Sequence, residues 1–87
     1  MKSGDAQEIE DARYDYAKAR AADEANIREL KGKADAATTE EEGRKNLRAY
    51  NRALFEKMRK LEPSISDRIE RMEAAVLKRL EAGKGGE

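Results

Sequence analysis

Pro63 is the only proline in 87 residues, and it cuts an apolar line that otherwise runs through the whole second half of the chain. Leu47, Leu54, Met58 and Leu61 precede it at helical spacing, with Tyr50 and Phe55 beside them. Ile65, Ile69, Met72, Val76 and Leu80 follow it at steps of four, three, four and four. Proline has no amide hydrogen and biases the residue before it, Glu62, out of the helical region, so one helix ends or kinks here. The spacing from Leu61 to Ile65 to Ile69 stays at four across the break. Two architectures satisfy this: a sharp turn into a third bundle helix, or a bent rod in which the two helices continue one another. In either case the second stripe needs a partner. Asp67, Arg68, Glu70, Arg71, Glu73, Lys78 and Arg79 fill the other faces of its helix and require water.

The remaining signals are helical throughout. Alanine, glutamate, lysine, arginine and leucine dominate, valine occurs once and threonine twice, and no β-alternation is present. Three helices are expected, over residues 6–31, 40–61 and 64–82. Asp5 with Glu8 has capping-box spacing for the first, and Gly32 stands where a left-handed residue would close it. Its apolar stripe reads Ile9, Ala12, Tyr16, Ala19, Asp23, Ile27 and Leu30. Residues 33–39 read as a loop. Thr38 or Thr39 caps the second helix, with Glu41 or Glu42 three residues on. Ser64 with Asp67 caps the third, Gly83 ends it, and 84–87 is a frayed tail. The fold class is therefore all-α in a single small domain. It is a helical hairpin plus a third helix, either a three-helix bundle or a bent coiled-coil-like rod, and self-associating.

Self-association follows from size. A chain this short is near the limit at which one core suffices, and burial shared with a partner relieves the shortfall. Lys and Arg balance Asp and Glu at 19 each, but unevenly along the chain. Residues 1–43 carry seven basic and twelve acidic side chains, and residues 44–87 carry the reverse. The two halves of one chain, or two antiparallel copies, complement each other in charge. With no cysteine and no histidine, disulfides, thiolate or imidazole metal sites and histidine-assisted nucleophiles are excluded. No segment reaches the length of a membrane-crossing helix. The opening MKSGDAQ lacks an apolar signal core, which sets the expectation of a cytoplasmic chain, although a removed leader would leave the same start.

Five constellations merit chemical weighing. Arg44, Lys45, Arg48, Arg52 and Lys60 form a basic run, interleaved with Tyr50 and Phe55, that could lie along nucleic-acid phosphates. Acids placed four residues before a cation (Glu40–Arg44, Glu41–Lys45, Glu56–Lys60, and elsewhere Glu24–Arg28, Glu29–Lys33 and Asp67–Arg71) favour a solvated, ion-paired face instead. Glu40–Glu42 diverge by about 100° per residue and cannot converge on one ion; they suit the positive end of a helix. Asp11 and Asp15, one turn apart, lack the further oxygen ligands a cation needs. No glycine-rich phosphate loop is present, GKGGE at the end being followed by no helix. The third helix carries too many acids for an anionic membrane surface.

The expected function is thus non-catalytic. The chain reads as a protein–protein interaction or assembly module, forming a homodimer or binding a heterologous helical partner, with no cofactor and no metal. Leu47, Leu54, Met58, Leu61, Ile65, Ile69, Met72, Val76 and Leu80 are the expected interface or core. The alternative is a small accessory nucleic-acid-binding protein that uses Arg44, Lys45, Arg48, Arg52 and Lys60.

Overall fold

The helix Glu40–Leu61 (α3) organises the rest. Thr39 Oγ1 accepts from the Glu42 N–H at 3.1 Å, and Glu40, Glu41 and Glu42 fill the first turn, at the positive end of the dipole. At the other end Glu62 leaves the helical region (φ −134°, ψ 72°), and its N–H still bonds the Met58 carbonyl at 2.9 Å. The computed structural model describes the backbone of residues 2–85 and the side chains of residues 6–81. Within that span the other helices are Lys2–Ala22 (α1), Ala25–Ala36 (α2) and Ser66–Gly85 (α4), with a 3₁₀ turn at Pro63–Ile65 leading into α4. No strand occurs among the described residues.

Each of the other helices packs on α3. Asn46 Nδ2 donates to the Lys33 carbonyl at 3.3 Å, and Lys57 pairs with Glu24 at 3.8 Å, so α2 runs antiparallel to α3. The chain turns back sharply at Glu62–Pro63, and Arg59 meets Glu73 at 2.7 Å, which places α4 antiparallel along the other end of α3. α1 crosses this corner, its Arg13 donating to Ser64 Oγ at 2.8 Å. The core is where these lines meet: Tyr14, Ala17 and Ala21 of α1, Ile27 of α2, Leu54, Phe55 and Met58 of α3, then Ile65 and Ile69. The molecule measures 47 × 32 × 15 Å. Its short dimension is one helix–helix separation of about 8–10 Å plus the helix backbones, so it is no more than two layers deep.

Several sequence expectations change. The first predicted helix, 6–31, is two helices. Asp23 and Glu24 break it, with Glu24 extended (ψ 139°) and the Asp23 and Glu24 amides closing α1 through bonds to Arg20 and Ala21 carbonyls. No proline or glycine marks the break. The bend brings both Ala21 and Ile27 onto the core, where they are 0% and 2% exposed, so tertiary burial overrides a helix-favouring sequence. The helix start is also earlier, and Asp5 lies inside α1 rather than capping it.

Gly32 does not close a helix. No glycine or other residue among those described has a positive φ, and α2 continues through Gly32 to Ala36, with Lys31 and Asp35 paired at 3.7 Å. The connection to α3 therefore shrinks from the predicted 33–39 to 37–39. Ser64 is not a cap either. Pro63, with φ fixed near the helical value, occupies the first position of the 3₁₀ turn, so Glu62 takes the capping place and Ser64 is free to accept from Arg13. Gly83 does not end the last helix, which continues to Gly85; of the predicted tail, Gly86 and Glu87 lie outside the described residues.

The largest correction concerns α1. Ile9, Ala12, Tyr16 and Ala19, the first part of its apolar stripe, all face solvent, Ile9 at 55% and Tyr16 at 53%, whereas Ile27 of the same stripe is buried. The buried face is Tyr14, Ala17 and Ala21, equally well spaced but mostly alanine. Ala17 has no exposed surface, so Ala17→Leu should destabilise the fold by about 1–3 kcal/mol through overpacking. Ala12→Leu, on the open face, should stay within about 0.5 kcal/mol of wild type, both variants being measured by urea titration.

Candidate functional site

Three regions have a claim to function: the basic side of α3, the junction of α1 with α4, and the outward face of α1. The five cations singled out on α3 do not form one surface. At 100° per residue they spread over roughly 160° of the helix. Arg44 is half-buried and paired with Glu40 at 3.8 Å, and Lys60 is paired with Glu56 at 3.9 Å. Lys45 and Arg52 are exposed and Arg48 is half-buried, and these three have no ion-pair partner among the described residues. Glu24 reaches across to Lys57 rather than along its own helix to Arg28. Tyr50 and Phe55 are turned inward, Phe55 being 3% exposed, so no aromatic platform stands beside the cations.

The apolar positions divide differently. Leu54, Met58, Ile65 and Ile69 are buried within this chain. Leu61 and Val76 are partly buried and pack against that core, while Leu47 and Leu80 are half-buried. Met72 is 40% exposed. The centre of the stripe on either side of Pro63 is therefore closed within the chain, by the turn together with Tyr14, Ala17 and Ala21 of α1 and Ile27 of α2.

At the α1–α4 junction Arg68 forms a clasp. Its guanidinium reaches Asp11 at 2.7 Å and Glu10 at 3.5 Å, and lies 5.2 Å from the centre of the Tyr14 ring. The hydrogen bond from Arg68, helped by one from Gln7, holds the Asp11 carboxyl below its ordinary value, and the Arg68 guanidinium is held more firmly protonated in return. Burial pushes the Tyr14 hydroxyl up. This grouping is consumed by its own contacts. It joins an acid from the first half of the chain to a cation from the second and offers no free chemical group.

An open cleft of about 290 Å³ lies between α1 and the 3₁₀ turn, lined by Ala6, Ile9, Glu10, Arg13, Ser64 and Ile65. Another, of about 380 Å³, surrounds the start of α3. Among the described residues no three Asp, Glu, Cys or His side chains gather at metal-binding distances, and no helix is long and apolar enough to cross a membrane. What remains is the outward face of α1. Ile9, Ala12, Tyr16 and Ala19 form a stripe roughly 150° around the helix from its buried face. The spacing of this face is plain in the sequence; that it stays open follows from α1 burying Tyr14, Ala17 and Ala21 instead. No protein-family model, curated protein or solved structure matches the chain.

The Arg68 clasp has a defined pH dependence. A carboxyl lowered in the folded state contributes stability above its unfolded value, near 3.8, and that contribution is lost as pH falls through the lowered one. Asp11→Asn should therefore lower the melting temperature at pH 7. The gap from wild type should close as the pH is taken below 3.8 in a thermal-melt series.

Proposed function

We propose that this chain is a non-catalytic helical interaction module that works by packing a helix face against another helix, a second copy of itself first and a heterologous helical protein next. The observation that supports this most directly is the outward face of α1. It is an apolar stripe on a well-formed helix, exposed while the stripes of α3 and α4 are largely closed within the chain. Isolated exposed apolar residues are ordinary; a spaced row of them opposite a helix's buried face is a packing surface. Shallow open clefts and a set of polar groups already paired with each other agree with a role in assembly rather than in catalysis.

Sedimentation velocity from about 10 µM to 0.5 mM tests this reading. The expected result is a concentration-dependent rise in mass that Tyr16→Glu abolishes while leaving the circular-dichroism melt unchanged. A monomer across the range rejects the homotypic form.

A second reading keeps Lys45, Arg48 and Arg52 as phosphate contacts, supported by their lack of acidic partners among the described residues. It predicts oligonucleotide binding that weakens steeply between low and physiological salt. Arg48→Gln with Arg52→Gln should reduce that binding without unfolding the protein. No binding at low salt removes it.

A further inference from the structure

We infer that the outward face of α1 pairs with the same face of a second copy, the two helices running parallel and in register. The inference rests on the interaction-module reading above and specifies its partner and geometry. Ile9, Ala12, Tyr16 and Ala19 follow steps of three, four and three, the spacing of a heptad seam, with Ile9 and Tyr16 at a and Ala12 and Ala19 at d. The residues that bury α1 against the rest of the chain, Tyr14, Ala17 and Ala21, lie roughly 150° around the helix from this seam, while Ile9 at its start also borders the cleft to the 3₁₀ turn.

Charge selects the orientation. The residues flanking the seam are Glu8 and Asp15 at g, Arg13 and Arg20 at e. In a parallel pair each g faces the e five residues on in the partner, which joins Glu8 to Arg13 and Asp15 to Arg20, twice each by symmetry. In an antiparallel pair, with Ile9 set over Ala19 and Tyr16 over Ala12, the two copies of Arg13 meet on the axis, and so do the two copies of Asp15. Glu8, Asp15 and Arg20 are exposed and have no ion-pair partner among the described residues, Arg20 lying 6.0 Å from the centre of the Tyr16 ring, in contrast to Glu10 and Asp11, which pair with Arg68. Arg13 is already engaged within its own chain, donating to Ser64 Oγ at 2.8 Å and lying 4.0 Å from the Glu62 carboxylate, with half its side chain exposed, so the orientation rests first on Asp15 with Arg20.

Shape permits the same arrangement. In parallel knobs-into-holes packing the Tyr16 ring enters a hole bounded by Ala12, Asp15, Tyr16 and Ala19 of the other copy. The two alanines leave room for the ring. The antiparallel pair also matches large to small, so packing size does not separate the two, whereas the flanking charges do. From Ile9 to Ala19 the seam is only about 15 Å long. Its area falls well below the ~800 Å² per partner of a standard interface, so the pair is expected to be weak, with Kd on the order of 100 µM.

The chain has no cysteine, so single cysteines report the geometry directly. Ala12→Cys and Ala19→Cys, each made separately in the full chain, should both form disulfide-linked dimers under mild oxidation. The rate should be at least tenfold that of Ala75→Cys on the exposed side of α4. An antiparallel pair with Ile9 over Ala19 leaves the two copies of residue 19 about 15 Å apart. Crosslinking at only one seam position, or at neither, in a protein that sedimentation shows to dimerise overturns the parallel seam and leaves the interaction-module reading standing. A monomer at 0.5 mM overturns both homotypic claims. As an independent arm, Asp15→Arg should weaken dimerisation at least tenfold, and adding Arg20→Glu to the same chain should restore it. Failure of that rescue also counts against the parallel orientation.

Discussion

Met58 has no exposed surface, and the reason is that three other helices converge on its turn of α3. Leu54 and Phe55 lie one turn before it, and Ala17, Ala21, Ile27, Ile65 and Ile69 arrive from α1, α2 and the chain after Pro63. α1, α2 and α4 make few contacts with one another by comparison; they share a core because they share a helix. A fold two layers deep has no other place to concentrate apolar burial. Removing side-chain volume at Met58 or Leu54 would therefore loosen several interfaces together, whereas a change at the far ends of α2 or α4 is felt locally.

Electrostatics follow the same economy. The acidic first half and basic second half of the chain meet at two places, Glu24 with Lys57 and Glu10–Asp11 with Arg68, and both tie α1 or α2 to the later helices. Surface pairs of this kind are individually small contributors. Their value here lies in placement, since α1 presents mainly alanine and one tyrosine to the core. The Arg68 clasp and the Arg13–Ser64 bond fix the angle at which that thin face crosses the Pro63 corner. That angle in turn decides which side of α1 looks outward.

The parts of this fold legible in the sequence were those with a chemical stop signal. Pro63 marks the break between the two stripes without saying whether it turns or kinks, Thr38–Thr39 marks the start of α3, where Thr39 is the cap, and Glu40–Leu61 has the expected bounds. The break at Asp23–Glu24 had no such signal; it exists because a straight helix could not place both Ala21 and Ile27 on α3. The exposure of the α1 stripe has a related cause. Ile9 and Tyr16 carry more hydrophobic area than Ala17 and Ala21, but the crossing over α3 requires small side chains, so closeness of approach outweighed area per residue. Gly32 misled through its type, since glycine permits a left-handed turn and does not compel one. The candidate surface was thus visible in the sequence as a stripe, while its role depended on a crossing that spacing alone does not reveal.

The connections of this protein are made from ordinary backbone. The chain passes from α1 to α2 through Glu24, from α2 to α3 through Ala37 and from α3 into the 3₁₀ turn through Glu62, each at negative φ. Nothing at these positions demands glycine, and only Pro63 pins a residue type through its geometry. Such turns can exchange residues freely over evolutionary time, provided the small set of core side chains on α3 and its neighbours keeps its size. A fold specified this way can drift far in sequence while retaining its shape, and the marks that survive will be spacing and side-chain volume rather than a string of invariant letters.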